Sequence, residues 1–300
     1  MTDRCQAQVG GEASGDPRIT AVVLTYNRAN EILRTLHRLQ SLPERPAVVV
    51  VDNGSEDGTA EAVSRSFPEV DLIRFGHNIG AAARNSGILF ARTPYVALCD
   101  DDTWWESGSL RQAADLLDRY PRVAVLTAKV LIGPEGREDP TSLEMAHSPL
   151  QAGEPLPGTP LLGFLAGASV IRRSAVLNVG GFEPRLFIGG EEALVAMDLA
   201  AAGWHMAYVP DLIVHHHPSI VRDSARRRHL LLRNAIWVAW LRRPFSSAIR
   251  LTFRLLKRTL PTSERISMLT ATLAELPWIV RRRKVVPPDV ESEIQKLEAA

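Results

Sequence analysis

The chain has 300 residues, 45% of them hydrophobic and 23% charged, which are ordinary globular values and exclude a disordered, collagen-like or low-complexity protein. Thirty-five basic residues against 34 acidic ones give a net charge of +1, so overall charge offers no argument for a nucleic-acid partner. Cys5 and Cys99 are far apart and match no zinc or CxxC spacing, which excludes a disulfide scaffold and fits a reducing, cytoplasmic setting.

In chain order, residues 1–18 are polar and glycine-rich and read as a flexible leader; MTDRCQAQVGGEASGDPR has no apolar core of the signal-peptide kind. From Ile19, apolar runs alternate with helical patterns. ITAVVLTY predicts a first strand, and Ile32, Leu33, Leu36 and Leu39 predict a helix after it. AVVVVD, VDLIRF and PYVALCD predict three more strands, with helices over TAEAVSRSF and GAAARNSGILFA between them. A helix over 107–119 and a strand over 122–132 complete a nucleotide-binding half, residues 19–132, with strands buried on both faces. Prolines at 134, 140, 149, 155, 157 and 160 predict an irregular excursion. LLGFLAGASVIRR then reads as a strand, GGFEPRLFIGG as a loop, EEALVAMDLAAAGW as a helix, and HMAYVP and LIVHHH as two short strands. These make a second half, residues 133–219, and residues 220–300 read as a basic, amphipathic helical extension. No run of 18 uncharged apolar residues predicts a bilayer span.

Five clusters can carry chemistry. Thr25-Tyr26-Asn27-Arg28 ends the first strand, where open α/β sheets bind ligands, yet GxGxxG is absent and a dinucleotide site is therefore not expected; a capped turn with Asn30 as N-cap is the structural alternative. Asp52 ends the second strand and is either a turn residue or an acceptor for a pyrimidine N3–H. Asp100, Asp101 and Asp102 repel one another at a strand end unless a divalent cation compensates them. Glu191 and Glu192 open a helix, where the helix dipole favours acids, but a glutamate beside another can also serve as a general base. In His215-His216-His217, strand alternation puts 215 and 217 on one face and 216 on the other.

In this order, VVLTYNR, VVDNGSEDGT, NIGAAARN, YVALCDDD, GGFEPRLFIGGEE and VHHH resemble the inverting family-2 glycosyltransferases of the GT-A fold, over residues 19–219. The resemblance implies a mixed α/β sheet with helices on both faces, plus the C-terminal helical extension. It implies a UDP- or dTDP-sugar donor held by Thr25, Tyr26, Asn27, Arg28, Asp52, Asn78, Arg84, Asp100 and Asp101, the start of the 80–91 helix adding unpaired amides near the phosphates. Mg²⁺ or Mn²⁺ would be bound by Asp102 with His215, His217 ranking second, and Glu192 would act as base with Glu191 as alternative. The family usually has Glu-Asp where this chain has Glu-Glu. Trp104 and Trp105 are candidate acceptor contacts or packing anchors. The acceptor is a hydroxyl, lipid-linked, on a polysaccharide or on a natural product. The basic tail, with Trp237, Trp240, Phe245 and Phe253, favours peripheral contact with the inner face of the membrane over helices packed on the catalytic domain with a solvated basic face, and both over nucleic acid. A nucleotidyltransferase and a non-catalytic nucleotide-sugar-binding scaffold are the competing readings.

Overall fold

The computed structural model describes residues 6–8, 16–218, 224–259 and 270–300. Its centre is one 11-stranded mixed sheet. Strands β2 (Ile19–Thr25), β3 (Ala47–Asp52), β4 (Asp71–Arg74) and β5 (Tyr95–Asp100) are parallel, in the order β4-β3-β2-β5. Helices α1 (Ala29–Gln40) and α2 (Thr59–Ser66) carry the chain one way across the sheet, and α3 (Arg84–Phe90) returns it past β3 and β2 to place β5. The strand order thus reverses between β2 and β5, the point beyond whose carboxyl ends open α/β sheets bind ligands.

Beyond β5 the sheet becomes mixed. β10 (Ala168–Arg172) runs antiparallel between β5 and β7 (Val123–Ile132), and β11 (His205–His216) is parallel to β7. β6 (Thr103–Trp105) closes that edge against the end of β11. The two short strands expected over HMAYVP and LIVHHH are this one strand, shifted in register between Val209 and Ile213; Pro210, which has no N–H for a ladder, sits at the irregularity. The proline-rich excursion is also more ordered than its composition predicts. It contains β8 (Arg137–Glu138), β9 (Thr159–Leu161) and α5 (Pro140–Ala146), the helix opened by Asp139 accepting from the Thr141 amide at 2.7 Å and by proline at its first position. Part of the expected leader, Gln6–Gln8, pairs with β4 as β1; residues 1–5 and 9–15 lie outside the described residues.

Side-chain alternation divides the core between the two faces of the sheet. Ile19, Ala21 and Val23 of β2 pack with α1, α2 and α4 (Ser109–Arg119), whereas Val22 packs with α3, α6 (Arg173–Asn178) and α7 (Glu191–Ala201). The C-terminal helices build onto α7. Ile236, Trp237, Val238 and Leu241 of α8 (Ser224–Arg242) share a buried cluster with Leu186, Leu194, Trp278 and Ile279. After α9 (Phe245–Thr259) and α10 (Leu276–Arg282), helix α11 (Pro288–Ala299) returns Val290 and Ile294 to Met197, Ala200 and Ala201 of α7. Arg243, buried after α8, fastens this layer with Nη2 2.9 Å and Nε 3.0 Å from the two carboxylate oxygens of Glu291, and also pairs with Glu298.

Candidate active site

The ends of β2 and β3 are stapled together. Asn27 adopts φ +51°, a conformation asparagine tolerates. Its amide donates to Ser55 Oγ at 2.9 Å and its Oδ1 accepts from the Glu56 amide at 2.9 Å, while Arg28 N–H donates to Thr59 Oγ1. Arg28, rather than Asn30, is the N-cap of α1. Tyr26 is exposed beside this turn. Asp52 is wholly buried; its Oδ1 accepts from the Ser55 amide at 3.1 Å, and its Oδ2 has no hydrogen-bond partner, with Arg74 Nε 3.7 Å away. Burial holds its carboxyl above the ordinary aspartate range, partly offset by the bonds from Ser55 and by the Arg74 charge.

The acidic run after β5 is spread over three environments. Asp100 forms an ion pair with the buried Arg84. Asp101 accepts from Thr25 Oγ1 at 3.0 Å, tying β5 to the end of β2; its carboxyl is pushed up to about 7, by burial first and then by the charges of Asp102 and Asp100. Asp102 is nearly buried, and the histidine facing it is His216, whose Nε2 is 3.5 Å from Asp102 Oδ1. His215 instead pairs with Glu106 and stacks on Trp104, while His217 tilts over the same indole. The expected alternation holds, but the face that meets the aspartates is the one carrying His216. Among the described residues no three His, Cys, Asp or Glu side chains form a metal-binding group. Asp102 and His216 are the carboxylate and imidazole that would hold a divalent cation here, and the imidazole suits Mn²⁺ better than hard Mg²⁺.

Two expected donor contacts are used internally. Asn78 Oδ1 accepts from Asn53 Nδ2 and from the Gly80 amide, and Asn53 Oδ1 accepts from the Ile79 amide. The Ala81 amide bonds to Phe187 O at 2.6 Å. The amides of Ile79, Gly80 and Ala81 are therefore satisfied within the protein and do not form the open anion site expected at this helix start. Trp105 is 1% exposed in the sheet core, which removes it as an acceptor contact and makes it a packing anchor.

Glu191 and Glu192 begin α7. Glu192 Oε1 accepts from the Ala166 amide at 2.6 Å, and its carboxyl is pushed up to about 7 by burial first, with the charge of Glu191 adding to it. The residue after Ala166, Gly167, packs against Asp100, so one short segment touches both the glutamate and the aspartate run. The segment joining them is 164–167. Gly167 O accepts from Thr103 Oγ1 at 3.0 Å, and a Cβ on Gly167 would lie 2.5 Å from Asp100 Oδ2, so a side chain there would displace that carboxylate. Read from sequence as plain strand, this segment was legible only through Gly167 and the Gly163 that precedes it.

A second missed residue is Asn234 of α8. It is fully buried, and its Nδ2 lies 2.7, 3.1 and 2.5 Å from the carbonyl oxygens of Leu186, Ile188 and Gly189, in the loop that delivers Glu191 and Glu192. Gly189 and Gly190 of that loop press against Leu231 and Asn234, leaving little or no room for side chains. Replacing Asn234 with Leu should cut kcat by about 10²-fold, the order of loss that a misplacement of about 1 Å produces, with the donor KM changed much less because the strand-end residues are untouched. A loss confined to KM in steady-state assays would contradict this.

Residues 20–180, more than half the chain, match glycosyl transferase family 2. The chain belongs to this family. As a family-2 glycosyltransferase it is 31% identical over 243 residues to the N-acetylglucosaminyl-diphospho-decaprenol L-rhamnosyltransferase of Mycobacterium tuberculosis, covering 69% of this chain and 79% of the relative. It is 29% identical over 219 residues to a pre-mycofactocin glycosyltransferase of the same organism, covering 70% of this chain but 45% of that protein. The fold is GT-A. The mannosyltransferase of Pyrobaculum calidifontis in complex with GDP-Man and Mn²⁺ superimposes with a TM-score of 0.57 at 20% identity, over 96% of this chain and 78% of that one. GalNAc-T7 with UDP, GalNAc and Mn²⁺ superimposes with a TM-score of 0.61 at 15% identity, over 92% and 59%.

Proposed function

We propose that this glycosyltransferase moves a sugar, with inversion, from a UDP- or dTDP-sugar to a hydroxyl of a lipid-linked acceptor at the inner face of the cell membrane. The observation that carries the proposal is that consecutive residues hold the two acids: the Ala166 amide donates to Glu192, Gly167 packs on Asp100, and Asp100 pairs with Arg84 at the carboxyl end of β5. The buried Asp52 Oδ2, which lacks a hydrogen-bond partner, supports a pyrimidine base, whose N3–H it would accept. The rhamnosyltransferase relative supports a deoxyhexose as the first sugar to try and a diphospho-polyprenol as the carrier of the acceptor.

With Oε1 held by the Ala166 amide, Glu192 takes the acceptor hydroxyl proton on its other carboxylate oxygen. The acceptor oxygen bonds to the anomeric carbon from the face opposite the leaving group, the bond from that carbon to the diphosphate oxygen breaks, and the electron pair leaves with the nucleoside diphosphate. Arg84, fixed by Asp100, holds positive charge beside that path. Asp102 and His216 would hold a Mg²⁺ or Mn²⁺ ion, which would supply further positive charge for the leaving diphosphate.

The test is nucleoside diphosphate release and product mass, measured with Mn²⁺ or Mg²⁺ against dTDP-rhamnose, UDP-glucose, UDP-galactose, UDP-galactofuranose and GDP-mannose. Turnover of a dTDP- or UDP-sugar is expected. Turnover of GDP-mannose alone, or donor binding without release, overturns the reading. His216→Ala should raise the metal concentration for half-maximal activity by at least the roughly 10–100-fold seen on losing even an outer-shell partner, and His215→Ala should leave it unchanged. The reverse pattern would return the metal to His215.

A further inference from the structure

Residues 222–258 contain eleven Lys or Arg and one acidic residue, and folding divides this basic segment into two parts. Helix α8 turns inward. Trp237 is buried, Arg242 pairs with Asp198, and Arg243 is taken up by Glu291 and Glu298. Helix α9 is different. Its inner side buries Ser247 and Ala248, while Phe245, Ile249 and Phe253 are 61%, 43% and 71% exposed. Steps of four residues place these three on one stripe of the helix. Arg250, whose Nη2 donates to Ser247 Oγ at 3.1 Å, and Lys257 are exposed on one flank of this stripe. The Arg283 guanidinium, donating to Arg243 O at 2.6 Å and to Trp240 O, packs with its carbon 4.2 Å from the centre of the Phe245 ring. The sequence of α9, FSSAIRLTFRLLKRT, contains no carboxylate.

We propose that this face of α9 is a docking surface for an anionic lipid bilayer. Phe245, Ile249 and Phe253 enter the headgroup boundary while Arg250 and Lys257 meet lipid phosphates. An apolar stripe flanked by cations from a helix that carries no carboxylate of its own, Arg254 being paired with Glu298 of α11, matches such a surface in both chemistry and charge. A second copy of the chain is a poorer match, because a two-fold contact through this face sets its cations against their own copies. Among the described residues no helix is long and apolar enough to cross a membrane, so the helix lies along the surface. The inference deepens the proposed use of a lipid-linked acceptor and rests on that reading for its purpose. Helix α9 follows α8, whose Asn234 holds the loop leading to Glu192, so docking would tether the enzyme through the layer that supports its base.

The experiment is flotation of the full-length protein with vesicles of phosphatidylcholine alone and of an equal mixture with phosphatidylglycerol, in the absence of any acceptor. The protein should float with the mixed vesicles, much less with phosphatidylcholine, and less as salt rises. R250Q/K257Q should weaken partitioning about 30-fold, given about 1 kcal/mol per basic residue at an anionic surface. F245S/I249S/F253S should weaken it at least as much. Both variants should keep the wild-type melting temperature and the wild-type rate of nucleoside diphosphate release with a soluble acceptor, so that failure of docking and failure of the transferase reading are distinguishable. Wild-type protein that stays unbound with mixed vesicles, or a triple serine variant that binds as well as wild type, overturns the proposal. So does a concentration-dependent dimer lost in the triple variant without vesicle binding, which would assign the face to a second copy.

Discussion

Replacing Glu192 with Gln is expected to lower kcat by about 10²–10⁴-fold while leaving donor affinity within a few-fold. The amide keeps the shape and retains an oxygen for the Ala166 N–H, so the loop 164–167 has no reason to move. What disappears is the group that accepts the proton. The pH profile carries the same information. Burial disfavours the charged carboxylate, which is why Glu192 sits at about 7 rather than at an ordinary glutamate value. Only the charged form is a base, so log kcat/KM should rise with slope one as pH increases to about 7 and then level off. At pH 6 only about one-tenth of the sites would be active, whereas an unperturbed glutamate would be almost fully ionised there. Glu191→Gln provides the internal comparison. Removing its charge should lower the Glu192 value and move the acid limb to lower pH, with kcat on the plateau largely retained. If Glu191→Gln abolishes turnover and Glu192→Gln does not, the base is Glu191.

The parts of this site that could be read from sequence depend on local pattern. An apolar strand that stops at a polar residue places that residue at the sheet edge, which is how Thr25, Asp52 and Asp100–Asp102 become neighbours before any coordinates are known. Alternation separates His216 from His215 and His217, but the choice of face depends on how β6 folds back against β11, a pairing between segments about 110 residues apart. Asn78 had a sound chemical reading, yet Asn53 supplies a competing partner 25 residues away. Trp105 follows the acidic run as a sugar platform would, but its position in β6 turns it into the core. Asn234 looks like an ordinary polar position in a helix. Its role appears only when α8 is laid on the glycine pair at 189–190. Composition alone misleads most in the tail, where a basic stretch contains both an outward face at Arg250 and one of the most buried cations of the described chain, Arg243.

Arg243 carries the second large effect. Arg243→Ala is expected to destabilise the protein by about 3–5 kcal/mol, because Glu291 is left as a buried charge without its guanidinium. Equilibrium denaturation would measure it, and a cost below about 1 kcal/mol would mean that water reaches Glu291 freely. The loss should depend on pH. In the native pair burial is the largest influence and raises the Glu291 value, but the hydrogen bonds from Arg243, Gln295 and Ser247 together with the Arg243 charge outweigh it and hold the carboxyl below its ordinary range, so the pair's contribution is complete at neutral pH and fades only in acid. In the alanine variant burial acts with much less opposition and lifts Glu291 above its unfolded value. The folded variant then binds a proton that the unfolded chain has released, and its deficit should shrink as pH falls from neutral towards the ordinary glutamate range. A Met at 243 combined with Leu at 291 should recover most of the stability, since a well-packed apolar pair replaces a buried ion pair at little cost. Recovery of stability with recovery of turnover would show that the pair serves activity only by keeping α8, and with it Asn234, seated on the loop that carries the base.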